Sequence, residues 1–210
     1  ASRVRRLFPS LILVLLACQT FAWFALLSDE YKSLGKHISA TALLIPNWIF
    51  WSESGYFDYA ANTKPLLHLW SLGIEEQFYL FWPLTLCLLF KYKLNAIRVT
   101  SLLLLGSFLL NLFFIETNSS ATFFLPFTRI WELLAGSLLA FCVQADFVKH
   151  SSLRAKLSSN TVVNQALSIL GLLLLSVGLL FIHQDQLFPG SWALLPVMGT
   201  VMIILTGNKA

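Results

Sequence analysis

Long apolar runs separated by short clusters of Lys and Arg constrain this chain more than any other feature. They extend over Ser10–Leu27, Leu66–Phe90, Val99–Ile115, Phe123–Val143, Gln165–Ile182 and Trp192–Thr206. About 20 apolar residues cross a bilayer as a helix, and each run reaches or approaches that length. The chain is 57% hydrophobic and 11% charged, whereas a soluble domain carries roughly 25% charged residues to cover its surface. The net charge of +4 sits between the runs, at Arg3-Arg5-Arg6, at Lys91-Lys93-Arg98 and at Lys149-Arg154-Lys156. Basic residues placed this way set membrane topology. The reading is an integral membrane protein with lipid as its surroundings and no nucleic-acid partner.

Parity then organises the spans. Arg3–Arg6 and Lys91–Arg98 both belong to the cytoplasmic side, so an even number of crossings separates them. The runs at 10–27 and 66–90 supply two, and the weaker segment 34–51 is expected to be re-entrant or interfacial, with Trp48, Trp51, Tyr56 and Tyr59 in the headgroup zone. The expected fold is all-α, a polytopic transmembrane helix bundle of about six spans forming a single domain over 1–210. Open sheet edges are not tolerated in lipid, and the runs lack the two-residue alternation of a barrel strand. Cys18, Cys87 and Cys142 lie in apolar runs without CxxC spacing, which predicts buried free thiols rather than disulfides or a metal site.

Charged side chains inside a span cost about 2.5–3.5 kcal/mol each, so they need internal partners. The stretch 65–83, PLLHLWSLGIEEQFYLFWP, carries His68, Glu75, Glu76 and Gln77. On one continuous helix His68 and Glu75 fall within about 20° of each other, with Glu76 and Gln77 on an adjoining face. A carboxylate near an imidazole handles protons; the same carboxylates also serve to pair helices. In Thr128-Arg129-Ile130-Trp131-Glu132, Arg129 and Glu132 are spaced for an intrahelical pair. Arg129 equally suits Glu75 or Glu76 on a neighbouring helix, or a substrate carbonyl or phosphate. Arg3-Val4-Arg5-Arg6 reads as a topology anchor or as a phosphate-binding site. Asn118-Ser119-Ser120 has the form of a glycosylation sequon, and Phe188-Pro189-Gly190 that of a turn before a span. His37, His150 and His183 read as loop residues, and Ser71 is a poor nucleophile candidate.

Together these motifs resemble the acyltransferase 3 family of membrane O-acyltransferases, especially bacterial saccharide O-acetyltransferases acting on lipopolysaccharide O-antigen or exopolysaccharide. The resemblance rests on RVRRLFP at 3–9, the Asn47 region with GYFD at 55–58, and the highly specific 65–83 stretch. TRIWELLAG at 128–136 and FPGSWALLPVMGT at 188–200 extend it. It implies that an acyl group, usually acetyl, passes from a cytoplasmic acyl-CoA such as acetyl-CoA to a sugar hydroxyl across a bacterial inner membrane. It places Arg3 and Arg6 on the acyl-donor side, and Glu75 or Glu76, Arg129 and Glu132 at the central site. Members with this version of the 65–83 motif often carry a C-terminal SGNH-type domain. The family's essential His, with an Arg about eleven residues before it, precedes the arginine motif and has no counterpart here. His68 is at the wrong position to replace it, and the chain alone is therefore expected to be an inactive, partial domain. Two rivals stand beside this reading. One is a proton- or solute-coupled transporter in which Glu75, Glu76 and Arg129 line the pathway; the other is a structural subunit whose charges only pair helices.

Overall fold

The computed structural model describes residues 2–54, 64–144, 161–183 and 186–207, with the side chains of residues 2–4, 144 and 161 excluded. The GYFD stretch, the basic residues Lys149, Arg154 and Lys156, and His150 lie outside this set, as does the side chain of Arg3. The described residues form helices and turns with no strand, in agreement with the all-α expectation. The helices are α1 (Ser2–Ala25), α2 (Ser28–Ala42), α3 (Pro46–Glu53), α4 (Trp70–Lys91), α5 (Ala96–Phe114), α6 (Ser119–Phe124), α7 (Ile130–Gln144), α8 (Thr161–Phe181) and α9 (Leu194–Thr206), with 3-10 turns at Leu67–Leu69 and Pro126–Thr128. Three of them contain a stretch long and apolar enough to cross a membrane: Arg5–Ala25, Ala96–Phe114 and Val162–Phe181. The shorter apolar helices Ile130–Val143 and Leu194–Thr206 stand beside these.

Polarity is inverted relative to a water-soluble protein. On α5 the buried residues are Thr100, Ser107 and Asn111, while Leu102 is 69% and Phe113 71% exposed. Such an arrangement is costly in water and favourable in lipid, where apolar side chains face the solvent and polar groups must find internal partners. The chain is a helical membrane protein.

Two compact units divide the chain at Gln77 and Phe78. In the first, α1 packs its Leu11, Leu15 and Ala22 with Leu34, Leu66 and Leu69 in one apolar cluster. The Glu30 carboxylate accepts the Leu27 N–H at 3.1 Å, which closes the start of α2. In the second unit, α8 and α9 meet backbone to backbone. A methyl group placed on Gly171 would lie 2.8 Å from the Gly199 carbonyl oxygen, and one on Gly199 2.7 Å from that of Gly171. Small residues allow this approach where no hydrophobic effect holds helices together. The Ser168 hydroxyl adds a 2.7 Å hydrogen bond to that of Thr206.

Several sequence expectations need correction. Helix α1 begins at Ser2 and runs through Pro9, so the arginine motif is helical rather than a lead-in. Within segment 34–51, expected to be re-entrant or interfacial, α2 and α3 are joined through Leu44, whose φ of 61° is left-handed. The expected continuous span 123–143 is broken at Pro126. Proline disfavours helical geometry in the residue before it, and Leu125 adopts φ −84°, ψ 141°. The three cysteines are free, but none is buried, and Cys87 is exposed.

Candidate functional site

Breaking a helix at membrane depth leaves backbone groups without partners, and side chains must supply them. Here Ser107 of α5 does so twice. Its hydroxyl donates to the Phe127 carbonyl at 2.7 Å and accepts the Trp131 N–H at 3.2 Å. The Thr128 hydroxyl lies 2.9 Å from the Thr122 carbonyl and 3.0 Å from that of Leu125. Trp131, 2% exposed, anchors the start of α7 edge-on against Phe108 at 4.8 Å. Between these fixed points stands Arg129.

Arg129 and Glu132 form the ion pair that their spacing predicts, with Nε–Oε1 at 3.0 Å and side chains 13% and 24% exposed. A second contact joins Nη2 to Oε2 at 3.2 Å. The guanidinium carbon lies 5.6 Å from the ring centres of both Phe123 and Phe188, within the roughly 6 Å over which a cation is attracted to a ring face. Glu132 thus holds one edge of the guanidinium, and two aromatic rings inclined at 62° to each other flank it. Arg129 and Glu132 also line a cavity of about 280 Å³, completed by Gly136 and by apolar residues of α9 including Pro196, Val197 and Val201. A pre-oriented cation beside an apolar chamber suits a ligand with a polar carbonyl and a short hydrocarbon part.

The first unit holds a second polar assembly. The Gln77 amide donates to the Leu44 carbonyl and to Asn47 Oδ1, both at 2.8 Å, so it secures the left-handed turn at Leu44. Asn47 is fully buried. Gly73 permits this contact, since a methyl group there would lie 2.8 Å from the Pro46 ring. Glu76 is half-buried, and its Oε1 is enclosed with no hydrogen-bond partner among the described residues. Glu75 is on the exposed side of α4. His68 is exposed and lies in the 3-10 turn before α4, where residues advance by about 120° rather than 100°. His68 and Glu75 are both exposed, and the short 3-10 turn changes their relative angle by only about 20° per residue. The Ser71 hydroxyl turns back to the His68 carbonyl at 3.4 Å.

His37 corrects another expectation. It is a helical residue, 2% exposed, not a loop histidine. Its Nε2 is 2.8 Å from Glu53 Oε2, and Lys36 and Lys64 reach the same carboxylate at 2.7 and 3.3 Å. Burial by itself pushes the Glu53 carboxyl up, but the hydrogen bonds and charges of Lys36 and His37 outweigh it and hold it at about 2 instead of 4.5. A carboxyl depressed in the folded state stabilises that state above its unfolded pKa, and the contribution disappears as pH falls from about 4.5 to about 2. Glu53→Gln is expected to flatten the loss of thermal stability across that window in detergent. An acid limb as steep as the wild type's would show that Glu53 is not its source.

His183 follows α8 outside any helix, as expected. Asn118 caps α6 by accepting the Ala121 N–H at 2.9 Å, which gives the sequon a structural role. Arg6 is exposed on α1. The roles of Glu53, Phe123 and Phe188 were not legible in the sequence, because each depends on residues distant along the chain. Arg129 was legible from the cost of a charge in an apolar run.

An apolar helical bundle with a half-buried ion pair, flanked by aromatic rings and beside a cavity, defines a membrane protein with an internal polar site. The family profile described as an acyltransferase domain matches residues 1–209. The chain belongs to this family, the acyltransferase 3 family. It is 32% identical to an uncharacterized protein of Haemophilus influenzae over 99% of this chain and 85% of that relative. It is 30% identical to the peptidoglycan O-acetyltransferase OatA of Listeria monocytogenes, over 99% of this chain and 34% of the relative. With the putative peptidoglycan O-acetyltransferase YrhL of Bacillus subtilis the identity is 29%, over 96% and 32%. The chain thus spans about a third of the named O-acetyltransferases. No solved structure matches it.

Proposed function

We propose that this domain transfers an acyl group, acetyl in the simplest case, from acyl-CoA at the cytoplasmic face of a bacterial inner membrane to a sugar hydroxyl of a cell-surface polysaccharide or lipopolysaccharide. Family membership and the relatives named as O-acetyltransferases support the chemistry. The observation that carries it at residue level is Arg129, held by Glu132 and two aromatic rings at the wall of the 280 Å³ cavity.

In the reaction the sugar oxygen attacks the thioester carbonyl carbon and forms the ester bond. The carbon–sulfur bond breaks, CoA leaves as the thiol, and the proton lost by the hydroxyl is the one the thiolate gains. Negative charge develops on the carbonyl oxygen, and Arg129 is assigned its stabilisation. Glu132 is a positioning residue, since both its oxygens meet the guanidinium. Arg3 and Arg6 are assigned the CoA phosphates. Glu75 and Glu76 are the groups assigned to proton handling in the first unit, and His68 is given no step.

The test uses membrane vesicles containing the whole protein that carries this chain, supplied with acetyl-labelled acetyl-CoA and polysaccharide acceptor. Label should enter the polysaccharide as alkali-labile ester. Solute flux in these vesicles with no label transferred would overturn the proposal in favour of a transporter.

A further inference from the structure

A second cavity, of about 570 Å³, lies between α6 and the segment that follows α8. Its volume is within the roughly 300–1,000 Å³ of small-molecule sites. Phe123 and Phe124 meet edge-on at 5.0 Å, and Phe123 and Phe188 are 6.5 Å apart at 62°, so three rings form one wall. Ser119, Ser120, His183 and Gln186 supply the polar part of the lining. Gln186 Oε1 is enclosed and has no hydrogen-bond partner among the described residues. No Lys, Arg, Asp or Glu is among the described residues that line the space.

These features narrow the ligand. A phosphate or carboxylate would need a cation, and an alkyl chain would leave the hydroxyls and amide unmatched. A pyranose suits this lining, since its C–H face can cover an aromatic ring while its hydroxyls pair with Ser, His and amide side chains. Position agrees with this. Residues 116–120 and 183–191 fall at the ends of spans opposite the basic clusters, on the non-cytoplasmic side. Phe188 borders both this cavity and the one holding Arg129, and Phe123 and Phe188 are the two rings against the guanidinium. The geometry points to this cavity as the acceptor subsite, holding a neutral sugar ring of the polysaccharide beside the Arg129 clamp. The inference rests on the O-acetyltransferase reading above.

The test measures transfer from labelled acetyl-CoA by the whole protein to two acceptors, a muramic-acid disaccharide from digested peptidoglycan and an O-polysaccharide released from lipopolysaccharide. Gln186→Ala and His183→Ala are expected to raise the acceptor KM at least fivefold, with the KM for acetyl-CoA unchanged. Ser120→Trp, which fills the space, should raise it further. The acceptor whose KM responds identifies the source of the sugar. If the wild type transfers label and the acceptor KM of Gln186→Ala and His183→Ala stays within twofold, the subsite assignment is overturned and the enzymatic reading stands. If the wild type labels neither acceptor, both fall together.

Discussion

Arg129→Ala is expected to reduce acyl transfer by at least about a hundredfold, the usual consequence of removing a fixed donor from a developing oxyanion. Arg129→Lys should recover little, because an ammonium cannot keep the paired, two-nitrogen contact to Glu132. Loss of activity in Arg129→Ala has a second source, since it strands a largely buried carboxylate at a cost of about 3–5 kcal/mol. The double variant Arg129→Leu/Glu132→Leu separates the two. Replacing both partners of a buried pair with apolar residues is often neutral for stability, so the double variant should melt near the wild type in detergent and still fail to transfer. A double variant that folds and retains more than a tenth of wild-type turnover would limit Arg129 to holding the bundle together.

Gly171→Leu should have the largest effect on stability. The side chain would be driven into the Gly199 backbone carbonyl, which has no rotamer with which to retreat, so α8 and α9 must separate. Overpacking of this kind costs about 1–3 kcal/mol, and the upper end is expected because the clash is with backbone. The same substitution at Gly106, around which nothing lies within 4 Å of an added methyl, should change the melting temperature little. Equal melting temperatures for Gly171→Leu and the wild type would show that the close approach of α8 and α9 does not form in the membrane.

Much of the architecture was legible because lipid is a demanding solvent. The runs at 99–115 and 165–182 correspond closely to α5 and α8, and the asparagine before Ala96 caps its helix by accepting the Arg98 N–H. The break in 123–143 was less visible. Pro126 marks it, but whether a proline kinks a helix or ends it depends on whether neighbours satisfy the freed backbone, and Ser107 does so from α5, with Thr128 acting within the break itself. Likewise, His37 lay in a weakly patterned stretch, and its burial depends on Glu53, Lys64 and Phe50 from other elements.

The sequence by itself determined that this is a helical membrane protein, carried the resemblance to the acyltransferase 3 family and placed Arg129 and Glu132 at a spacing that allows a pair. Hydropathy, charge cost and helical spacing are local properties, and a linear chain records them in full. Tertiary structure alone decided that Phe123 and Phe188 clamp the guanidinium, that a small apolar cavity opens beside it and that a polar, ring-walled one adjoins it. Those facts depend on which helix faces meet, and such meetings are set by shape over distances that no local pattern encodes.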